Sequence, residues 1–327
     1  MLIYFIILLL LLVAEVGYFR IADRFNIVDR PNERSSHTRV VLRGGGIIFA
    51  VGVLVWFVAF GWPHPLFVAG LLLLAVVSLW DDIRSLPDSV RLVAQFAAML
   101  LMFADWGIIR WDLWWLVLAA WVLCVGIINA YNFMDGINGM TGGYSAVVLL
   151  SLLWLNGRLS FAEPSLILVI LLADLVFCLF NFRSRARCFA GDVGSVGMAF
   201  VVVYLVGRLI LQTGDFTYIL LLAVYGVDTV LTICHRILLH EPLGQAHRKH
   251  AYQLLSNELH WPHVGVSLLY MALQAVVSLG LILLPNQAGP HWIYAGVVLA
   301  VLAAGYLLFM RRYYPLHEAY LANLNKQ

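Results

Sequence analysis

The stretch Asn129-Ala-Tyr-Asn-Phe-Met-Asp-Gly-Ile-Asn-Gly139 sets Asn129, Asn132, Asp135 and Asn138 at spacings of three, directly after an apolar run. Gly136 and Gly139 give the backbone freedom to turn tightly there. Two more acids stand at Asp81-Asp82, where adjacent carboxylates repel unless a cation or a proton is shared between them. The alternative, capping of a helix end, needs one acid at most and would oppose the negative end of the helix dipole. A further acid, Asp192, lies in Gly191-Asp-Val-Gly-Ser195, a tight turn in which Ser195 can cap the next helix and Asp192 could itself be a cap. Hard oxygen donors on several loops suit Mg²⁺, which takes one or two carboxylates and completes its shell with water and phosphate.

A basic counterpart follows in His247-Arg-Lys-His-Ala-Tyr-Gln253. A His-x-x-His pair could bind zinc, but no cysteine accompanies it. Arg248 and Lys249 between the histidines make the local field positive. Phosphate binding is the more coherent chemistry, since Arg and Lys pair with phosphate oxygens and His can donate to them.

These residues must be held by membrane helices. Of 327 residues, 63% are hydrophobic and only 12% charged, and the mean hydropathy is +0.91. A soluble domain could not keep so much apolar surface from water. The expectation is an all-α polytopic membrane protein, a single integral membrane domain over 1–327. About eleven spans are expected, at 1–19, 44–62, 65–80, 90–108, 112–130, 140–157, 163–181, 195–213, 216–235, 263–284 and 291–310. The first lacks a basic leader and a small-residue cleavage site, so it reads as a retained helix. Cys124, Cys178, Cys188 and Cys234 show no paired spacing and read as small core residues.

Charge sets the expected orientation. Of the 20 Lys and Arg residues, only Arg110, Arg158 and Arg208 fall outside the odd-numbered loops and the C-terminal tail. By the positive-inside rule those loops and the C-terminus are cytoplasmic and the N-terminus is outside. Every acidic or histidine-rich cluster then lies on the cytoplasmic side. Asp174 and Asp228 fall within spans, where an ionised acid costs roughly 2.5–3.5 kcal/mol on insertion scales, so each should face the interior. Glu15 and Asp105 lie nearer span ends, within reach of water.

Taken in order, these motifs resemble the polyprenyl-phosphate N-acetylhexosamine-1-phosphate transferases, glycosyltransferase family 4. The resemblance runs through Asp29-Arg-Pro-Asn-Glu-Arg-Ser-Ser-His37 with Arg43-Gly-Gly-Gly46, then Asp81-Asp82, Asn129–Gly139, Phe189-Ala-Gly-Asp-Val-Gly-Ser195, Asp228 and His247–His250. It implies transfer of a sugar 1-phosphate from a UDP-sugar to undecaprenyl phosphate, with release of UMP. The cofactor implied is Mg²⁺, with Mn²⁺ as a substitute. The setting is a bacterial inner membrane, with the active site on its cytoplasmic face. By the same resemblance Asp81, Asp82 and Asp135 are the catalytic acids, Asp81 deprotonating or orienting the lipid phosphate. Asp192, Asp82 and Asn132 surround the metal. Phe189 stacks on uracil, His247 and His250 hold the diphosphate, and Arg248, Asn129, Asn138, Arg43 and Gly191 complete the substrate contacts.

Two departures narrow the expectation. Asn138 stands where the family often has a second Asp, so it cannot be an anionic ligand. The histidine motif is sparser than in the common-antigen and peptidoglycan enzymes, and looks like the subgroup that initiates O-antigen or capsule chains, whose donors include UDP-N-acetylated 6-deoxyhexosamines. A plain UDP-GlcNAc transferase is the alternative within the enzyme class. A lipid or ion transporter using Asp174, Arg208 and Asp228 is the alternative outside it, although transporters tend to place their sites at the midplane. No nucleic-acid partner is implied. The oligomeric state is open, a homodimer included.

Overall fold

The structure is a computed structural model that describes residues 1–31, 36, 39–242, 244, 247–285 and 288–324. Arg34, His37 and Lys326, which entered the charge pattern and the first-loop motif, lie outside the described residues. The helices are α1 (Leu2–Arg24), α2 (Ile47–Ala59), α3 (Pro65–Ile83), α4 (Asp88–Trp106), α5 (Trp114–Met134), α6 (Met140–Leu159) and α7 (Pro164–Asn181). They continue with α8 (Gly191–Thr213), α9 (Ala223–Leu238), α10 (Ala251–Asn257), α11 (His263–Leu283) and α12 (Ala288–Leu324). Among the described residues, ten helical stretches are long and apolar enough to cross a membrane, and α2 is a shorter apolar helix. Each expected span thus meets a helix, and the chain is an all-α polytopic membrane protein. A helix satisfies its own backbone, as hydrocarbon requires.

Helix α8 is the central post. It is the most deeply buried of the long helices and packs against α3, α5, α6 and α2. Its approach to α2 is allowed by paired glycines, since a Cβ on Gly46 would lie 2.2 Å from the Gly194 Cα. Helix α3 packs on α4, α6 on α7 and α11, and α9 on α5 and α12. A small antiparallel ribbon pairs β1 (Val28–Asp29) with β2 (Val41–Leu42). Leu42 also bridges to Cys188, tying the first loop to the segment that enters α8.

The structure revises several local expectations. The short span is α2, whose 13 residues rise only about 20 Å against a hydrocarbon core of about 30 Å. The ninth span opens with a 3₁₀ stretch, Phe216–Leu222, before α9. Helix α8 begins at Gly191, so Asp192 lies in its first turn and Ser195 is not its cap. Helix α12 does not stop at 310 but runs to Leu324 through Pro315, and α10 forms inside what reads as a loop. Glu15 does not reach water: it is fully buried, with Cys188 Sγ 3.8 Å from its Oε1. Asp105 is likewise engaged, by Tyr204 at 2.9 Å and His64 at 2.8 Å. The His64 ring reaches Glu163 at 3.1 Å on its other side, and bonds to Asp105 and Glu163 push its pKa up to about 9. These contacts lace α3, α4, α7 and α8 together at the end opposite the acidic cluster. All four cysteines are free.

Candidate active site

The residues that carry the expected chemistry meet at one end of the bundle. Asp81 and Asp82 close α3, Asp192 opens α8, and Arg43 enters from the loop behind β2. Asp82 accepts the backbone N–H of Asp192 at 2.9 Å and of Val193 at 3.0 Å. A carboxylate borrowed from α3 therefore caps α8, where the orphan N–H groups and the positive dipole end favour it. Gly191 is needed at this contact, because its φ is +70° and a Cβ would lie 2.5 Å from Asp82 Oδ2.

Two guanidinium groups stitch the acids together. Arg43 donates to Asp82 Oδ1 at 2.6 Å and to Asp192 Oδ1 at 3.2 Å. Burial works against its charge, but Asp82 and Asp192 outweigh burial and raise its pKa. Arg91, on α4, donates to Asp81 Oδ2 at 3.2 Å and Asp192 Oδ2 at 3.3 Å, and pairs with Asp88. Leu86 N–H fixes the other Asp81 oxygen at 2.5 Å. The mutual repulsion of Asp81 and Asp82 is thus relieved by a separate arginine for each.

Beside this network lies a cavity of about 440 Å³. It is lined by the polar side chains of Asp88, Arg91, Gln95, Asn129, Asn132, Asp192, His247 and His250 and by the apolar side chains of Leu74, Val77, Leu92 and Val196. Asn129 is held by Gln95, to which it donates at 3.0 Å, and Asn132 accepts from Ser195 Oγ at 2.9 Å. His247 Nδ1 accepts the Lys249 backbone N–H at 3.4 Å, which puts a neutral ring's proton on Nε2. Burial, then the neighbouring His250, push the His247 pKa down to about 3, so the ring is neutral near pH 7. His250 lies with Nδ1 3.2 Å from Asp228 Oδ1, and its buried Nε2 has no hydrogen-bond partner among the described residues. Asp228 is itself anchored by Tyr270 at 2.5 Å and by the Ala251 N–H at 3.1 Å. The interior acid foreseen at 228 is therefore the orienter of His250.

Other expected site residues stand off the cavity wall. Asp82 is one layer behind it, with its side chain fully shielded from solvent. Asp135 accepts from Thr141 Oγ1 at 2.7 Å, and burial, helped by Asp82, pushes its carboxyl up to about 6. Asn138 is turned into the protein, donating to the Arg183 carbonyl at 3.0 Å, while its own carbonyl accepts from Ser267. An amide suits that site, because it needs a donor that a carboxylate lacks. Arg248 faces away from the cavity and donates to Glu258 at 3.0 Å. Phe189 is half-buried at the mouth of α8, its N–H bonded to the Leu42 carbonyl at 2.8 Å.

Arg91 and Gln95 went unread in the sequence except as a flanking charge and a span residue. Their signal was the i, i+3, i+7 spacing with Asp88, which puts all three on one face of α4. Mg²⁺ fits the donor set. Among the described residues no three His, Cys, Asp or Glu side chains converge to enclose a cation. Mg²⁺ requires only one or two carboxylates, however, and Asp192 and Asn132, both bearing hard oxygen donors, line the cavity.

Residues 64–210 match the model of glycosyl transferase family 4. The chain is 28% identical over 258 residues to a probable undecaprenyl-phosphate N-acetylglucosaminyl 1-phosphate transferase of Bacillus subtilis (strain 168), covering 72% of this chain and 71% of that protein. It is 23% identical over 308 residues to the undecaprenyl-phosphate alpha-N-acetylglucosaminyl 1-phosphate transferase of Escherichia coli (strain K12), covering 84% and 81%. The enzyme of that name in Yersinia pestis is 24% identical over 317 residues, covering 88% and 86%. The family match takes in α3 to the last turn of α8, and with them Asp81, Asp82, Asn132, Asp135 and Asp192. From α3 to the end of α8 the chain is thus similar to glycosyl transferase family 4, and over most of its length it is similar to undecaprenyl-phosphate N-acetylglucosaminyl 1-phosphate transferases.

Proposed function

We propose that the protein transfers a sugar 1-phosphate from a UDP-sugar to undecaprenyl phosphate and releases UMP. The reaction takes place on the cytoplasmic face of a bacterial inner membrane, as the first membrane step of O-antigen or a related surface polysaccharide. The observation that carries this reading is the mixed lining of the cavity. Arg91, His247, His250 and Asp192 are available there for phosphate and its counter-ion, and Leu74, Val77 and Leu92 for a hydrocarbon chain.

An oxygen of the lipid phosphate attacks the β-phosphorus of the UDP-sugar. The bond from that phosphorus to the bridging oxygen breaks, and UMP leaves with the oxygen. Both reactants are anions, so positive charge must be in place before they can approach. Mg²⁺ bound by Asp192 and Asn132 would neutralise phosphate charge there. Arg91 reaches the cavity itself, and Asp81 sets its angle, so Asp81 orients the acceptor phosphate through the guanidinium. Asp82 acts by fixing Arg43 and the start of α8. His247 donates from Nε2 to a phosphate oxygen, and Asp228 aims His250 at the same region.

The names of the relatives favour UDP-GlcNAc as the donor, whereas the sparse histidine motif favours a 6-deoxyhexosamine donor of an O-antigen pathway. Purified protein in nanodiscs, given undecaprenyl phosphate, Mg²⁺ and a panel of UDP-sugars, should release UMP. It should also form one lipid diphosphosugar far faster than the others, identified by mass spectrometry. No UMP from any donor under these conditions would sink the transferase reading.

A further inference from the structure

We infer that the C-terminal helix positions the two cavity histidines: His317 of α12, through the carboxylate of Glu258, fixes α10 and draws Arg248 away, so that His247 and His250 face the cavity. This rests on the transferase reading, since it assigns positioning residues to that site. Helix α12, at 37 residues, is about 55 Å long, far more than the hydrocarbon core needs. Its last turns carry Tyr314, His317 and Tyr320 against Lys249, Glu258 and Arg248.

The contact is specific and buried. Glu258 Oε1 accepts from Arg248 Nη2 at 3.0 Å, and His317 Nδ1 lies 2.8 Å from the same oxygen. The Glu258 and His317 side chains are 5% and 1% exposed. The Arg248 guanidinium lies 4.4 Å over the Tyr320 ring. Lys249 is drawn to the same side, pairing with Glu241 and lying 5.7 Å from the Tyr314 ring. The two cations of the His-Arg-Lys-His segment are thus held toward α12, while His247 and His250 line the cavity.

Helix α10 carries the effect to the site. His250 is its N-cap and Glu258 its C-cap, and His250 exchanges capping bonds with Gln253. A seven-residue helix between them is a short strut. Fixing Glu258 at one end therefore sets the ring angle of His250 at the other. Removing one partner of a buried pair leaves a charge or a polar atom unmet, so the anchor should fail as a unit.

The test uses the full-length protein in nanodiscs, with Glu258→Gln, His317→Ala and His317→Gln. Hydrogen–deuterium exchange should quicken in the 247–254 segment of Glu258→Gln and His317→Ala while α3 and α8 keep their wild-type protection. The KM for UDP-GlcNAc, or for the preferred donor, should rise about tenfold, the loss of one charged hydrogen bond. The KM for undecaprenyl phosphate and the thermal midpoint should hold. His317→Gln, which can still donate to Glu258, should recover most of the donor KM, and the Glu258→Gln/His317→Ala pair should be no worse than Glu258→Gln alone. Unchanged exchange at 247–254 would overturn the inference. So would looser exchange with an unaltered donor KM, or a general loss of protection with a fallen midpoint, which marks a merely structural contact. If the wild type transfers nothing from any donor, the transferase reading fails and the exchange result alone decides whether α12 holds the segment.

Discussion

At the scale of the residue, the acids differ in what they do although they look alike in sequence. Asp192 faces the cavity, Asp81 reaches it through Arg91, and Asp82 is shielded behind Arg43 and two backbone N–H groups. We expect Asp192→Asn, Asp81→Asn and Asp82→Asn each to lower turnover by about 10²–10³, the cost of losing one preorganised electrostatic contact. The stability cost should differ among them, with Asp82→Asn lowering the thermal midpoint most because it weakens the cap of α8. Near-normal rates in all three at saturating Mg²⁺ would remove the acidic cluster from the chemistry. EDTA should abolish turnover and Mg²⁺ or Mn²⁺ should restore it, measured as UMP release; selective rescue by Zn²⁺ would point to His247 and His250 as a metal site instead. These acids and the histidines were legible in the sequence because ionisable groups are scarce in a membrane chain and their clusters stand out. Arg91 was less so, since a basic residue beside a span is also what orientation alone demands. The different part that Asn138 plays was not legible, because an amide's partners here, the Arg183 and Ser184 carbonyls, come from a distant loop.

At the scale of the element, hydropathy located the spans because apolar length is a local property. The ends were harder, since they are set by partners distant in sequence. Helix α8 starts four residues before the expected 195 because Asp82, on α3, supplies the cap that no neighbouring side chain gives. Helix α10 was missed because seven residues without an apolar period carry no helix signal, and its capping bonds come from His250 and Gln253. The short α2 is explained by what lies at its start, where Gly46 meets Gly194 with no room for a side chain. Gly46→Ala should therefore push α2 off α8 and carry Arg43 with it, since Gly45 and Gly46 donate to Phe189 and Ala190 across that contact. The expected outcome is a destabilisation of about 1–3 kcal/mol, the usual cost of overpacking, seen as a lower thermal midpoint. Gly61→Ala at the far end of α2 is a matched control only for space, because its φ of +89° adds strain; Gly157→Ala, with open space and no such φ, is the cleaner comparison.

At the scale of the whole molecule, the two ends of the bundle have different chemistry. One end gathers Arg43, Arg91, the three acids and the histidine segment. The other holds the His64–Asp105–Glu163 group and the His291–Asp215 pair, 2.5 Å apart, whose polar groups are bonded to one another. The proposed reaction takes a nucleotide-sugar donor made in the cytoplasm and so requires the first end to face it, and the distribution of Lys and Arg points the same way. This asymmetry was legible from charge counts alone, whereas the mutually bonded groups at the far end were not, because their partners come from separate spans. The orientation can be tested on exposed positions of the described chain. With Cys124, Cys178, Cys188 and Cys234 first replaced, Ser85→Cys and Ser184→Cys should be shielded from a membrane-impermeant thiol reagent in intact cells and react once the cells are opened. Ser160→Cys, exposed at the end of α6, should react in intact cells. The reverse pattern would place the cavity outside, away from its donor, and would remove the proposed reaction together with the orientation. Because Ser85 follows Asp82 by three residues and Ser184 lies in the loop that Asn138 binds, the pair reports on the active end itself rather than on a remote tail.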